Sequence, residues 1–435
     1  MELKNTYANG NRELSMTFNL KTTLAALAAG TMLAGPALAD GHAKLSGELR
    51  IMSDMSNPAP RAAMEGLAAE FGAMHPDLNI ELEIVDREAW KTQIRNALTA
   101  NAPDVINWYA ANRMGPYVSA GLFEDISDMY EDGSLPGLDA VKGAMTLDGK
   151  QWGVPYTYYQ WGIYYREDMF KDLGLVEPVT FDDELANCQK IVDSGKKCYA
   201  IGTKFLWTAG GWFDYMNMRT NGFDFHMELA RGEVAWTDDR VKETFANWRK
   251  IIDMGGYIDD HQSYSWQEAL KFMTDGDAAS YLIGNFAVPH LREAGLDDTQ
   301  IDFYQFPTIA DVPQGEDAPT DTFHIPANAS NKDNARAFLQ FVTSADVQTK
   351  LNGGDALGQL PVNAASSVDA DEFLEQGFEM LSNNAKGGVA QFFDRDFPAE
   401  MASMGMEGLQ EFMVFPDNLD DILVRLEEAR GRIYK

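Results

Sequence analysis

The sequence predicts an α/β fold in which largely parallel strands are joined by crossover helices. Three observations carry this. Strand and helix periodicities alternate from Glu48 to Tyr109. At 435 residues the chain is long enough for two domains whose cores need neither metal nor dense disulfide stapling. Its composition, 45% hydrophobic and 23% charged, is that of an ordinary globular protein. Beyond the N-terminus no apolar run reaches the length of an integral span.

A leader comes first. From Met16 the chain reads MTFNLKTTLAALAAGTMLAGPALAD, with Lys21 in a short basic region and an apolar segment from Leu24 to Leu33. Ala37-Leu38-Ala39 supplies a small-x-small cleavage site. Residues 1–39 are therefore expected to be a signal peptide with an upstream extension over 1–15, and Asp40 the mature start. No cysteine sits at the site, so a free exported protein is expected, without a lipid anchor.

After a short linker, Glu48–Met52 reads as a strand and SDMSNPAP as a turn-rich connection. Arg61–Met74 places Met64, Leu67, Ala68 and Phe71 on one helical stripe, closed by His75-Pro76. NIELEIV (79–85) alternates as a half-buried strand. Glu88–Ala100 sets Trp90, Ile94 and Leu98 on one helical face, and DVINWY (104–109) is a short buried strand. This is βαβαβ.

The middle third differs. GVPYTYYQWGIYYRED is a strand dense in rings, and helices are predicted over Asp239–Met254 and Trp266–Thr274. AASYLIGNF (278–286) reads as a buried strand ending in a polar turn. A breaker-rich connector (Pro307–Pro319) leads to a strand, DTFHIPA, and to one helix from Lys332 to Leu351 capped by Asn331. GGDALGQLPVN separates these from a helical tail. Residues 206–222, LWTAGGWFDYMNMRTNG, look too polar for a core element and too aromatic for an exposed loop.

Sites in open α/β sheets lie beyond the carboxyl ends of strands, which puts SDMSN, WYAANRM, the Tyr-Trp run and IGNF on one rim. The net charge is −32, and residues 1–39 hold three basic and two acidic residues, leaving −33 on the remainder. Such a surface repels nucleic acid and anionic lipid. Cys188 and Cys198 are the only cysteines, and in an oxidising compartment this pair is a disulfide rather than a redox or zinc motif. No GxxxxGK[ST], GxSxG, GxGxxG or HExxH occurs, so ATP hydrolysis falls to another subunit and no cofactor is expected. DMYEDGSLPGLD (128–139) imitates a calcium loop, but Tyr130 stands where an oxygen ligand belongs, and no metal is expected.

The order of HPDLNIEL, DVINWYAANRMGPYVSAGLFEDISD, GVPYTYYQWGIYYRED, DAASYLIGNF and DTFHIPANASNKDNARAFLQFVTSADVQ behind a signal peptide resembles the family-1 extracellular solute-binding proteins of bacterial carbohydrate ABC importers. Among them, CQK…GKKC with IGTKFLWTAGGWFDYMNMRTNGFDFH is most similar to binders of disaccharides and related glycosides. The resemblance implies two α/β lobes, each a mostly parallel sheet flanked by helices, with a ligand cleft between them. It implies an N-lobe of residues 40–153 plus 320–355 and a C-lobe of 154–319 plus 356–435. Three crossings are expected near Gly153-Pro155, Gly315–Asp321 and Gly353–Pro361. It further implies a periplasmic, non-enzymatic, monomeric protein that hands its sugar to a membrane permease.

A pyranose has apolar C–H faces and a rim of hydroxyls, so recognition wants flat rings and a few oriented polar groups. By the family pattern the candidate rings are Trp108, Tyr159, Trp161, Trp207, Trp212 and Phe286. The candidate polar groups are Asp54, Asn57, Asn112, Arg113, Asn285, Asp321, Asp394 and Arg395. Asn112 replaces a carboxylate, and Phe286 a tryptophan, found in maltose-binding relatives. Tyr158, Tyr164 and Trp266 are read as possible packing residues, and Arg219 as a brace. Two other readings remain open: the same fold binding a polyol, glycosyl-glycerol or glycerol-phosphate ester, for which Arg113, Arg219 and Arg395 are the available cations, and a secreted glycosidase with paired carboxylates.

Overall fold

The computed structural model describes residues 44–354, 356–368, 371–384 and 387–434, so the expected signal peptide lies outside the described residues. Two larger sheets organise the chain. Their strands are β1 (Gly47–Ser53), β2 (Leu78–Ile84), β3 (Val105–Tyr109), β4 (Val154–Tyr158), β5 (Trp161–Arg166), β6 (Lys197–Tyr199), β7 (Ala278–Gly284), β8 (Ile301–Tyr304) and β9 (Thr320–His324). The first sheet has the order β2-β1-β3-β9-β4 and the second β8-β5-β7-β6. In each, one strand runs against the rest: β9 is antiparallel to β3 and β4, and β5 is antiparallel to β7 and β8.

Each sheet has its own core. The helix Pro58–Met74 buries Met64, Leu67 and Phe71, and Arg87–Ala100 buries Trp90, Ile94 and Leu98, the faces that the 3.6 periodicity requires. The second sheet packs against Trp207–Asn221, Asp239–Asp253 and the tail helices Ala399–Val414 and Leu419–Ile433. No helix among the described residues is long and apolar enough to cross a membrane. Cys188 and Cys198 are bonded, tying the helix Phe181–Asp193 to β6; on the chain-entropy account so short a closed loop stabilises by roughly 2.5–3 kcal/mol.

Three expectations need correction. The helix expected from Lys332 to Leu351 is two, Lys332–Val342 and Ala345–Asn352. The break falls where Thr343 and Ser344 return their hydroxyls to the carbonyls of Leu339 and Phe341, competing with the helical ladder. Asn331 does not cap with its side chain; its backbone N–H and Nδ2 donate instead to the buried Asp104 carboxylate. Finally, LWTAGGWFDYMNMRTNG, too polar for a core element by sequence, is a helix, Trp207–Asn221, buried from Thr208 to Thr220. Its polar residues escaped a core reading because their partners are distant in sequence. Arg219 donates to the Phe306 and Gly315 carbonyls and to Glu316, and Asn217 accepts from Thr244.

The chain passes between the sheets at Tyr159-Gln160, because β4 belongs to the first sheet and β5 to the second. The expected break at 153/154 instead falls just ahead of β4. The return runs between β8 and β9 through a short strand, Gly315–Asp317. Residues 356–361 are still first-sheet structure: Leu357 joins that core and Leu360 bridges to Tyr158, whereas Phe373 packs in the second core. The third passage therefore follows Val362.

Candidate functional site

Between the two sheets lies a cleft. Its two walls differ in chemistry. On the first-sheet side the chain leaves β1, β2 and β3 at their carboxyl ends. Asn57 precedes the helix Pro58–Met74, Arg87, Glu88 and Lys91 occupy the first turns of Arg87–Ala100, and Tyr109 closes β3. On the second-sheet side Tyr159, Trp161, Trp207, Trp266, Phe286 and Phe392 present rings. Trp161 reaches the cleft because β5 is the reversed strand, so its first residue lies opposite Gly284, the last of β7.

The rings pack edge to face. Trp207 lies 6.0 Å from Trp161 and 6.4 Å from Phe392, at interplanar angles of 84° and 65°. Trp266 and Phe286 stand 5.1 Å apart at 79°. Two glycines make room. A Cβ at Gly211 would come within 2.6 Å of the Trp161 ring and 3.1 Å of Phe392, so any side chain there would push both rings away from the helix. A Cβ at Gly284 would collide with Phe286 at 2.4 Å. The Gly-Gly pair ahead of Trp212 is thus a seat for the aromatic floor.

Charge on the opposite wall is internally compensated. Asp321 accepts from Arg87 at 3.0 Å and from Arg395 at 2.8 Å. Asp54 accepts from the Tyr109 hydroxyl at 3.3 Å and lies 3.9 Å from Arg87. Lys91 is held by both oxygens of Glu88 at 3.0 Å. Burial disfavours ionised Asp321, yet the Arg395 and Arg87 guanidiniums prevail and hold its carboxyl below the ordinary value. For Asp54 burial wins over Arg87, and the carboxyl is raised. Arg395 further donates to the Thr320 carbonyl and the Tyr159 hydroxyl, both at 2.7 Å. Asp394, on the cleft floor, has its carboxylate 3.9 Å from Arg113 and 4.0 Å from Arg395.

Of the residues expected from the sequence, Asn57, Tyr159, Trp161, Trp207, Phe286, Asp394 and Arg395 line the cleft. Asp54 and Asp321 stand behind it and orient Arg87, Tyr109 and Arg395. Asn112 donates to the Asp396 carbonyl at 2.6 Å, and the Arg113 guanidinium lies over Trp108 and Tyr109. Both brace the back of the site rather than its surface. Asn285 is buried behind Phe286, its backbone N–H donating to the Gln160 carbonyl.

Trp108 and Trp212 are corrections. Successive residues of a strand point to opposite faces, so Tyr109 faces the cleft and Trp108 packs on Tyr117, its indole N–H donating to the Arg113 carbonyl. Five helical residues separate Trp207 from Trp212, which turns them about 140° apart. Trp207 therefore meets the cleft, while Trp212 is fully buried edge-on to Tyr199 and Tyr257.

Sequence reasoning missed Arg87, Glu88, Lys91, Tyr109, Gln359, His290 and Phe392. The carboxyl-end rule applied to β2 would have found Arg87, the first helical residue after it. Trp266, read as packing, lines the cleft. Phe392 carries no local signal. It sits at φ 110° and ψ 150°, a region that non-glycine residues occupy at a cost on the order of 1–3 kcal/mol.

Residues 56–349 match the family described as bacterial extracellular solute-binding protein. An uncharacterized ABC transporter extracellular-binding protein of Pyrococcus horikoshii is 25% identical over 301 residues, covering 67% of each chain. The multiple sugar-binding protein of Streptococcus mutans is 22% identical over 53% of this chain and about half, 56%, of its own length. In three dimensions the bacterial solute receptor AcbH, described as preferring β-D-galactopyranose, superposes with a TM-score of 0.82 at 24% identity over 90% of this chain and 100% of its own. A chitin oligosaccharide binding protein superposes with a TM-score of 0.79 at 20% identity over 89% and 99%. The protein described above, with its two lobes and enclosed cleft, belongs to the bacterial extracellular solute-binding protein family.

Proposed function

We propose that this protein is a periplasmic receptor that captures a neutral mono- or oligosaccharide in the cleft by closure of its lobes and delivers it to an ABC permease. The observation that carries the reading is the contrast between the walls: six rings face a polar wall whose cations are already matched by carboxylates. Rings accept the C–H faces of a pyranose, and Asp394, Asn57 and Gln359 can meet its hydroxyls. The ligands named for the structurally similar receptors, a galactopyranose and chitin oligosaccharides, support the substrate class. Export through a signal peptide cleaved before Asp40 fits this role.

The phosphate-ester alternative lacks uncommitted donors: Arg87 is paired with Asp321, Lys91 with Glu88, and Arg113 lies 3.9 Å from Asp394. Arg219 is fully buried among Phe306, Gly315 and Glu316, outside the cleft lining, and Arg395 is committed to Thr320, Tyr159 and Asp321. Thermal-shift titration with D-galactose, maltose, raffinose and diacetylchitobiose, beside glycerol 3-phosphate and galactose 6-phosphate, tests the reading. A neutral sugar at a hundred times its Kd should stabilise by about 2.7 kcal/mol. Stabilisation by the phosphate esters alone would refute it, and cleavage of an oligosaccharide during incubation would reveal a hydrolase.

A further inference from the structure

Five non-glycine residues among those described have positive φ: Ala111, Asp148, Leu206, Asp260 and Phe392. Aspartate tolerates the left-handed region, so Asp148 and Asp260 need no special account. Of the other three, Phe392 lines the cleft and Ala111 and Leu206 are close in sequence to residues of the site. Ala111 precedes Asn112 and Arg113, which grip the back of the site, Leu206 precedes Trp207, and Phe392 is itself a lining ring. Phe392 has the most extreme of these angles, φ 110° against 55° for Ala111 and 68° for Leu206.

Glycine would adopt that geometry freely. Phenylalanine keeps it only if neighbours hold the backbone, and two buried carboxylates do so. One oxygen of Asp396 accepts from the N–H of Gln391 at 2.7 Å and of Phe392 at 3.2 Å. One oxygen of Asp214, on the buried helix, accepts from the N–H of Phe393 at 2.7 Å. The turn so held sets the Phe392 ring 4.7 Å from Trp161, tilted by 36°, and places Asp394 and Arg395 on the cleft floor.

We infer that Asp396 and Asp214 are positioning residues of the binding cleft: their carboxylates clamp residues 391–393 in a strained turn that pre-forms the Phe392, Asp394 and Arg395 part of the site. The role in binding rests on the carbohydrate reading above; the clamp itself does not. An apolar side chain at either position would leave N–H groups of the turn without a partner, and Asp214 also lies 3.5 Å from His226. Their use is to receive backbone N–H groups that a Phe392 ring turned into the cleft leaves exposed to no other partner.

Hydrogen exchange of the ligand-free protein over 391–397 reads the clamp directly. Asp396→Ala should exchange at least tenfold faster there, and Asp396→Asn, whose amide oxygen can still accept both N–H groups, should stay within threefold of wild type. Wild-type exchange in Asp396→Ala overturns the clamp. Should Asp396→Ala not fold, Phe392→Gly/Asp396→Ala decides: recovery of folding by glycine supports the clamp, and no recovery overturns it. Binding of D-galactose should weaken at least tenfold in Asp396→Ala and return in Asp396→Asn; faster exchange with unchanged affinity overturns the positioning role. Failure of the wild type to bind D-galactose counts against the sugar class alone and leaves exchange to decide the clamp.

Discussion

The two walls of the cleft are built by opposite means. The first-sheet wall is polar and is assembled from helix N-termini and strand ends, with Arg87, Asp54 and Asp321 in one ionic network that Arg395 joins from the turn after Phe392. The second-sheet wall is aromatic and is assembled from positions spread from Tyr159 to Phe392, seated on glycines and on a strained turn. The difference teaches that orientation of polar groups follows from regular structure, whereas a sheet of rings needs backbone that gives way. Proteins of this design should therefore lose affinity and stability at different residues.

The sharpest break of the comparison uses two tryptophans of one helix. Trp212→Ala should cost about 3–5 kcal/mol of stability, measured by urea unfolding, because it empties a fully buried site. Trp207→Ala, on a half-buried ring, should cost far less stability but about 2 kcal/mol or more of affinity for the sugar selected by the screen, measured by calorimetry. Equal stability losses would mean that Trp207 is core as well.

A second test uses two buried carboxylates of opposite sign. Burial pushes the Asp396 carboxyl up to about 7, although the Gln391 and Phe392 N–H groups oppose this. Between its ordinary value of 3.8 and about 7 the folded chain then holds a proton that the unfolded chain has lost. Stability falls as pH rises through this window, by up to about 1.4 kcal/mol per unit. Subtracting the Asp396→Asn profile should isolate that slope, and parallel profiles would contradict it. Asp321 behaves inversely: burial opposes its charge, but Arg395 and Arg87 keep its pKa low, so its contribution is full above 3.8 and lost as pH falls further. Asp321→Asn should therefore differ least from wild type at the acid end.

The smallest effect lies at the mouth, where Gln267 on the second side donates to Asn57 on the first at 3.4 Å. Gln267→Ala should change affinity by about 1 kcal/mol or less and leave unfolding unaltered. A larger loss would make Gln267, like Asn57, a part of the binding site.

Periodicity supplied the βαβαβ start and its core faces at Met64, Leu67, Phe71, Trp90, Ile94 and Leu98, and the two lone cysteines of an expected exported chain supplied the candidate disulfide, because these depend on residues near one another in the chain. The motif order supplied the family, the strand-end segments held Asn57, Trp161 and Phe286, and the ring-dense stretch 206–222 supplied Trp207. Tertiary structure decided which face each ring takes: Tyr109 in place of Trp108, Trp207 in place of Trp212. It also decided that Arg219 and Asn217 are interior, that β4 and β5 part company at Tyr159-Gln160, and that Phe392 joins the site. The physical reason is range. A side chain's face is set by strand register and helix phase, and the partners that make the buried Arg219 tolerable, Phe306, Gly315 and Glu316, lie tens of residues away, where no local pattern records them.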